Sequence, residues 1–110
     1  MGRCLIKIRD RYFEWSTIVD APVTCAMTEE ELRAHIKARY GEGGTAVLDK
    51  RIAACNERGT SMERDLTLDD VLSYNRAGRD ETELTADEIY AGYASEAAYE
   101  IWMKGSSGEE

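Results

Sequence analysis

The side chains best suited to chemistry in this chain are one histidine and three cysteines. A thiolate–imidazole pair would need Cys25 and His35 to meet, together with a third group that orients the imidazole. No sequence pattern places these two residues together, and His35 directly precedes Ile36 on the apolar stripe of a predicted helix. We therefore expect His35 at the surface or boundary of that helix, and we predict no catalytic residue.

The cysteines, Cys4, Cys25 and Cys55, lie far apart along the chain. An odd number of cysteines without CxxC spacing argues against a disulfide framework and against a zinc site. Cysteine is among the most commonly buried residue types. We therefore interpret all three as small buried thiols in a reducing compartment.

Acidic residues cluster at Asp65, Asp69 and Asp70, but they lack the alternating ligands, central glycine and terminal glutamate of a calcium loop. Asp70 is explained better by helix capping and the helix dipole. The segment "YNRAG" (residues 74–78) lacks the glycine-rich run and following lysine of a phosphate-binding loop, and is typical of a helix end. We predict neither a metal nor a cofactor.

Charge is distributed unevenly over the 110 residues, which carry a net charge of −8. Residues 1–58 contain 10 Lys and Arg against 9 Asp and Glu, whereas residues 59–110 contain 4 against 13. Such a balance argues against direct nucleic-acid binding, because phosphates require a basic surface. It leaves three interpretations open: solubility, an acidic face that docks on a basic partner, or mimicry of nucleic acid.

Residues 3–19 predict a β-hairpin. A two-residue turn at Asp10-Arg11 would pair Ile8 with Phe13 and Ile6 with Trp15. This register collects the apolar side chains on one face, which we assign to the core. It turns three residues outward: Tyr12, Glu14 and Ser16. Pro22 cannot donate to a sheet ladder, so residues 20–27 are predicted to form a connecting loop.

Three threonines predict helix starts. Thr28, Thr67 and Thr85 are each followed three residues later by an acidic residue and flanked by apolar residues, which is the pattern of a capping box with a hydrophobic staple. A fourth start is predicted at Thr45, after a glycine turn. The predicted helices run from Thr28 to the C-cap Gly41, from Thr45 to about Arg58, over 68–76, and from Thr85 to about Lys104.

The last predicted helix is the best candidate for a partner surface. It carries aromatic residues on both flanks: Tyr90, Tyr93, Tyr99 and Trp102. A small domain can cover one apolar stripe with its own core, and the remainder could mediate dimerisation or bind another protein. The alternative is a wide core-facing surface. Gly92 within this helix indicates a kink or a close approach by another element.

The segments "YFEWSTIVDAPVT", "MTEEELRAHIKARYG" and "DDVLSYNRAG" together resemble a family of small acidic proteins encoded by actinobacteriophages. The resemblance covers most of residues 5–93. It implies a phage origin and expression in the host bacterial cytoplasm. That location agrees with two features of the sequence. No apolar run approaches the roughly 18 residues of a membrane span, and the N-terminal apolar stretch is too short for a signal peptide. The resemblance implies no activity and no site residues.

We predict a single α+β domain over residues 1–104, with an N-terminal two-stranded antiparallel β-hairpin packed against three to four α-helices, and a flexible tail over 105–110. The predicted function is that of a small non-enzymatic phage accessory protein, which binds a host or phage protein during infection or lysogeny. The alternative is an acidic nucleic-acid mimic that blocks a DNA-binding protein. We expect no direct nucleic-acid binding and no membrane association, and a homodimer is compatible with the sequence.

Overall fold

The computed structural model describes residues 3–62, 66–73, 75–78 and 82–101. Its fold is mixed α+β, which confirms the predicted class. The strands are β1 (Arg3–Ile8), β2 (Arg11–Ser16) and β3 (Ala21–Pro22), and the helices are α1 (Glu29–Ala46), α2 (Leu48–Arg58), α3 (Leu68–Leu72) and α4 (Ala86–Gly92). Residues 96–101 are also helical. The predicted tail, residues 105–110, lies outside the described residues. Across the described ranges, no helix combines the length with the apolar character that a membrane span requires.

The sheet is antiparallel, with the strand order β1-β2-β3. Ile6 pairs with Phe13 and Cys4 with Trp15, so the predicted register was wrong by two residues. The turn is formed by Arg9 and Asp10, and Arg9 takes a left-handed φ of 58°. Side chains alternate with a period of two along a strand, so a two-residue shift leaves every residue on its predicted face.

Helices and loops cover both faces of the sheet. The predicted apolar face packs against the C-terminal elements in one core cluster: Cys4, Ile6, Ile8, Phe13, Trp15, Val71, Leu72, Ala77, Ile89 and Tyr93. The opposite face packs against α1 and α2 in a second cluster: Leu5, Tyr12, Met27, Leu32, Ile36, Leu48, Ile52 and Cys55. The prediction that Tyr12, Glu14 and Ser16 face outward was therefore wrong, because all three are buried on this covered face.

The hairpin is extended by a short third strand, which replaces part of the predicted 20–27 loop. Pro22 pairs with Trp15. As the last residue of an edge strand, Pro22 does not interrupt the ladder. The outer edge of β1 is covered as well. The backbone N–H of Lys7 donates to the Gly59 carbonyl at 2.8 Å, and that of Ser61 donates to the Leu5 carbonyl at 2.9 Å. These contacts occupy an edge that could otherwise pair with another chain.

Three capping boxes are confirmed, at Thr28, Thr67 and Thr85. The fourth predicted start was wrong, because Thr45 lies inside α1 and donates to the Glu42 carbonyl at 3.0 Å. Gly41 breaks the helical conformation at the predicted position. Its φ of 70° and ψ of −156° produce a kink, after which the chain continues helically to Ala46.

The helices after α2 are shorter than predicted. α3 ends at Leu72, and α4 ends at Gly92, with residues 93–95 separating it from the helical stretch 96–101. The buried Asn75 organises the chain between α3 and α4. Its side-chain amide donates to the carbonyls of Leu72 and Leu84 at 2.8 Å each, and its oxygen accepts from the N–H groups of Ala77 and Leu84. These four bonds tie the non-helical segment that follows α3 to the segment that precedes α4.

Candidate functional site

A buried carboxylate lies between β2 and α1. The side chain of Glu14 is only 4% exposed, and its Oε1 lies 3.0 Å from His35 Nε2. The Tyr40 hydroxyl donates a hydrogen bond to Oε2. The Arg3 guanidinium reaches the same oxygen from β1, with Nη1 at 3.6 Å. Both carboxylate oxygens therefore have partners, and these partners belong to two other elements of the fold.

Burial and the surrounding groups act in opposite directions on the pKa of Glu14. Burial raises the pKa, whereas hydrogen bonds with Tyr40 and His35 and the charges of His35 and Arg3 lower it. The net result is a pKa below the ordinary value for glutamate. Glu14 is therefore ionised at neutral pH, and the cluster stabilises a buried negative charge by direct contacts.

A concave surface of about 740 Å³ lies beside this cluster, within the range of roughly 300–1,000 Å³ that is typical of ligand sites. We call it the kink groove. It is bounded by Ile18 and Val19 on the β2–β3 turn, by Tyr40, Gly43 and Gly44 at the end of α1, and by Val47 before α2. Glu14 lies in its wall.

Exposed apolar side chains converge on the kink groove. Six large apolar residues are exposed in the described part of the chain, and four of them line this groove: Ile18, Val19, Tyr40 and Val47. Ile18 is 75% exposed, although it lies only two residues after a strand whose side chains are mostly buried. The sequence pattern did not indicate this site, because Ile18 and Val19 were predicted in the second hairpin strand rather than in a turn.

Glycines give the groove its shape. The φ and ψ of Gly41 belong to a region that other residues essentially do not occupy, so a glycine is required at the kink. A Cβ added at Gly44 would lie 2.6 Å from the Tyr40 Cβ, so the backbone approaches that tyrosine closely. A Cβ added at Gly43 would have no neighbour within 4 Å. Gly43 therefore faces open space in the groove.

The groove is positively charged, although the chain as a whole is acidic. Arg3, Arg39 and Arg51 line it, and Glu14 is its one acidic residue. Within the described ranges, neither Arg39 nor Arg51 forms an ion pair. The Arg39 guanidinium lies 5.8 Å from the centroid of the Tyr40 ring. Two guanidinium groups are thus available for an anionic partner.

Of the four aromatic residues in the predicted partner surface, Tyr93 and Tyr99 contact each other. Tyr93 is buried, and its hydroxyl donates to the Ala77 carbonyl at 2.6 Å. The Tyr99 ring packs on it with centroids 5.1 Å apart, and both tyrosines line a second cavity, of about 490 Å³, with Cys25. Burial raises the pKa of Tyr93 to about 12. Tyr93 therefore contributes mainly to the core.

Tyr90, the third described residue of that surface, has different contacts. Tyr90 contacts the hairpin turn: its hydroxyl donates to Asp10 Oδ1 at 3.1 Å, and the Arg9 guanidinium lies 4.8 Å from its ring centroid. Trp102 lies outside the described residues. A partner surface formed by the four aromatic residues stays a prediction.

Cys25 and His35 have different neighbours. Cys25 lines the second cavity, whereas the imidazole of His35 contacts Glu14. Burial and the charge of Glu96 raise the pKa of Cys25. Burial raises the pKa of Cys4 to about 11 and that of Cys55 to about 12. In the part of the chain that the structure describes, no three His, Cys, Asp or Glu side chains are grouped to hold a metal ion.

Comparison of the chain with protein-family models, with curated proteins and with solved structures finds no match.

Proposed function

We propose that the protein is a small non-enzymatic binding protein whose kink groove receives part of a partner protein. The observation that carries this proposal is the convergence of four exposed apolar side chains on one concave surface. Contiguous exposed apolar surface in a small protein is characteristic of interaction sites. The arginines around it add polar, directional contacts of the kind that protein interfaces favour.

Local chemistry supports a binding role over catalysis. The Glu14 carboxylate and the His35 imidazole are engaged with each other, and their contacts connect two layers of the fold. The thiolate is the reactive form of cysteine, and the raised pKa values of all three thiols disfavour it at neutral pH. These groups have the environments of structural residues.

For the partner, we propose a host or phage protein in the bacterial cytoplasm, during infection or lysogeny. This follows from the resemblance to small acidic actinobacteriophage proteins. The groove is the surface that we propose for the contact, because the hydroxyl groups of Tyr90 and Tyr93 are used in bonds within the fold.

Site-specific photocrosslinking in an actinobacterial host tests this proposal. A photoreactive amino acid at Val47 lies in the groove, and the matched control at Ala53 lies on an exposed position of α2. We expect a defined protein adduct from position 47 that is absent at position 53. Equal labelling at both positions, or no protein adduct at position 47, would contradict the proposed function.

A second candidate function is that of an acidic nucleic-acid mimic. The favouring observation is a cavity of about 410 Å³ beside α3 and α4 that both Asp69 and Glu83 line. Asp87 adds a further carboxylate in the first turn of α4. A mimic would bind a DNA-binding protein with strong salt dependence and would compete with duplex DNA. Competition that is absent at low salt would exclude this role.

A further inference from the structure

We infer that the kink groove binds an acidic peptide segment that also carries a bulky apolar side chain. This inference rests on the proposed function, since it names the chemistry of the partner at the same surface. The proposed occupant is a short stretch of a partner protein in which carboxylates lie next to a large aliphatic or aromatic residue.

Charge complementarity specifies the acidic part. Arg39 and Arg51 line the groove without an ion pair in the described ranges. The negative charge of Glu14 is already shared among His35, Tyr40 and Arg3. Among the described residues, the groove therefore presents two guanidinium groups that have no carboxylate partner. A guanidinium binds a carboxylate through paired, charge-assisted hydrogen bonds, which a neutral or basic segment cannot supply.

Exposed side chains specify the apolar part. Ile18, Val19 and Val47 project at the rim, and the buried Ile36 contributes to the groove beneath them. An apolar side chain seated here would remove these surfaces from water, which is favourable in proportion to the area buried. Free phosphates and simple carboxylates would leave the same surfaces exposed. The two features together select a peptide over a small anion.

Other macromolecules fit the groove less well. A nucleic acid would carry a continuous run of phosphates past the three arginines of the groove and along the rest of a chain with a net charge of −8, whereas a short peptide segment places only a few carboxylates beside those arginines. A second copy of the chain would bring its whole net charge of −8 against the same charge, whereas a short segment brings only the few carboxylates that the arginines can pair. Binding of a labelled oligonucleotide and self-association of the chain are the measurements that would reveal these two occupants.

Selection from a library of random short peptides on the full chain tests the inference. We expect the enriched peptides to carry a net negative charge and at least one bulky apolar residue. Their synthetic versions should bind with an affinity that falls as salt is added. The variants Arg39→Gln and Arg51→Gln should each weaken binding by about tenfold, the loss expected for one charge-assisted hydrogen bond.

Gly43 provides a matched pair of variants. A side chain at this position enters open space, so Gly43→Glu and Gly43→Gln should both fold. The glutamate variant adds a carboxylate beside the arginines, and we expect it to weaken peptide binding several-fold more than the glutamine variant of nearly equal size. Equal effects of the two variants would show that charge does not govern recognition and would overturn the inference.

Each remaining outcome is also decisive. Enriched peptides that are neutral or basic, or that bind the Arg39 and Arg51 variants with unchanged affinity, would overturn the inference. Binding of a labelled oligonucleotide that the Gly43→Glu variant abolishes would also overturn it. Self-association of the chain that the same variant abolishes would have the same consequence. A Val47 crosslink to a protein combined with non-acidic peptides would leave the proposed function intact and refute only this inference. Absence of both crosslink and enriched peptides would refute both.

Discussion

Glu14 on β2 and His35 on α1 are joined by a 3.0 Å contact between Oε1 and Nε2. The chain's one histidine and the most buried carboxylate of the described residues thus connect the sheet to the first helix. Tyr40 binds the second oxygen of the same carboxylate and also lines the kink groove. The polar cluster therefore holds the end of α1 in the position that shapes the groove.

The variant Glu14→Gln should destabilise the protein by about 1–3 kcal/mol. Glutamine has nearly the same shape, but its amide group would place a donor against the donors of His35, Tyr40 or Arg3 and would remove the charge that Arg3 and His35 stabilise. Urea unfolding measures the loss. The exposed control Glu57→Gln should change the free energy of unfolding by no more than about 0.5 kcal/mol. Equal effects of the two variants would contradict a structural role for the cluster.

Stability should decrease in acid, with a contribution from Glu14. Its pKa is lower in the folded protein than the ordinary value of 4.5. The stabilisation is therefore fully present above about pH 4.5 and is lost as the pH falls through the lowered folded value. In urea unfolding at a series of pH values, the difference in the free energy of unfolding between the wild type and Glu14→Gln should become smaller in acid. A difference that is independent of pH would contradict the lowered pKa.

Two glycines near the end of α1 should respond oppositely to alanine. Gly41→Ala forces a residue with a Cβ into a φ of 70° and ψ of −156°, which costs about 1–3 kcal/mol. Gly43→Ala adds a Cβ with no neighbour within 4 Å and removes a flexible residue from a helix. It should therefore stabilise the protein by up to about 1 kcal/mol. Thermal unfolding separates the two effects, and a stabilising Gly41→Ala would argue against the kink.

Features that depend on near neighbours in sequence were predictable, whereas those that depend on distant contacts were not. A capping box is complete within four residues, so Thr28, Thr67 and Thr85 were identified correctly. The alternation of the hairpin indicated the faces, but it is insensitive to a two-residue shift of register. Nothing in the sequence near Glu14 indicates that His35 and Tyr40, 21 and 26 residues away, will bury it. The kink groove was missed for the same reason, because three separate segments meet there.

The capping threonines should contribute measurably to stability. Thr28→Ala removes a side chain that accepts from the Glu31 N–H, while the Glu31 carboxylate accepts from the Thr28 N–H at 2.9 Å. Loss of such a cap costs about 0.5–2 kcal/mol. Thr45→Ala is the matched control, since Thr45 lies within α1 and caps no helix. Urea unfolding should show a smaller loss for Thr45→Ala, and the reverse order would contradict the assigned helix start.

Thiol reactivity should distinguish the three cysteines. Cys4 and Cys55 are buried, with pKa values raised to about 11 and 12, whereas Cys25 is only partly buried. The thiolate is the reacting species, so access and pKa both favour modification at Cys25. With a chromogenic disulfide reagent at mildly alkaline pH, we expect one thiol per native chain to react. All three should react in denaturant.

The variant Cys25→Ser assigns that reactive thiol. Native Cys25→Ser should show no rapid modification, and its denatured form should show two reactive thiols. Reaction of Cys25 itself should be slower than that of a free thiol, because burial and the charge of Glu96 raise its pKa. Rapid modification that persists in native Cys25→Ser would mean that Cys4 or Cys55 is accessible. That result would contradict the packing of α2 and β1, since these two thiols lie in the two core clusters on opposite faces of the sheet.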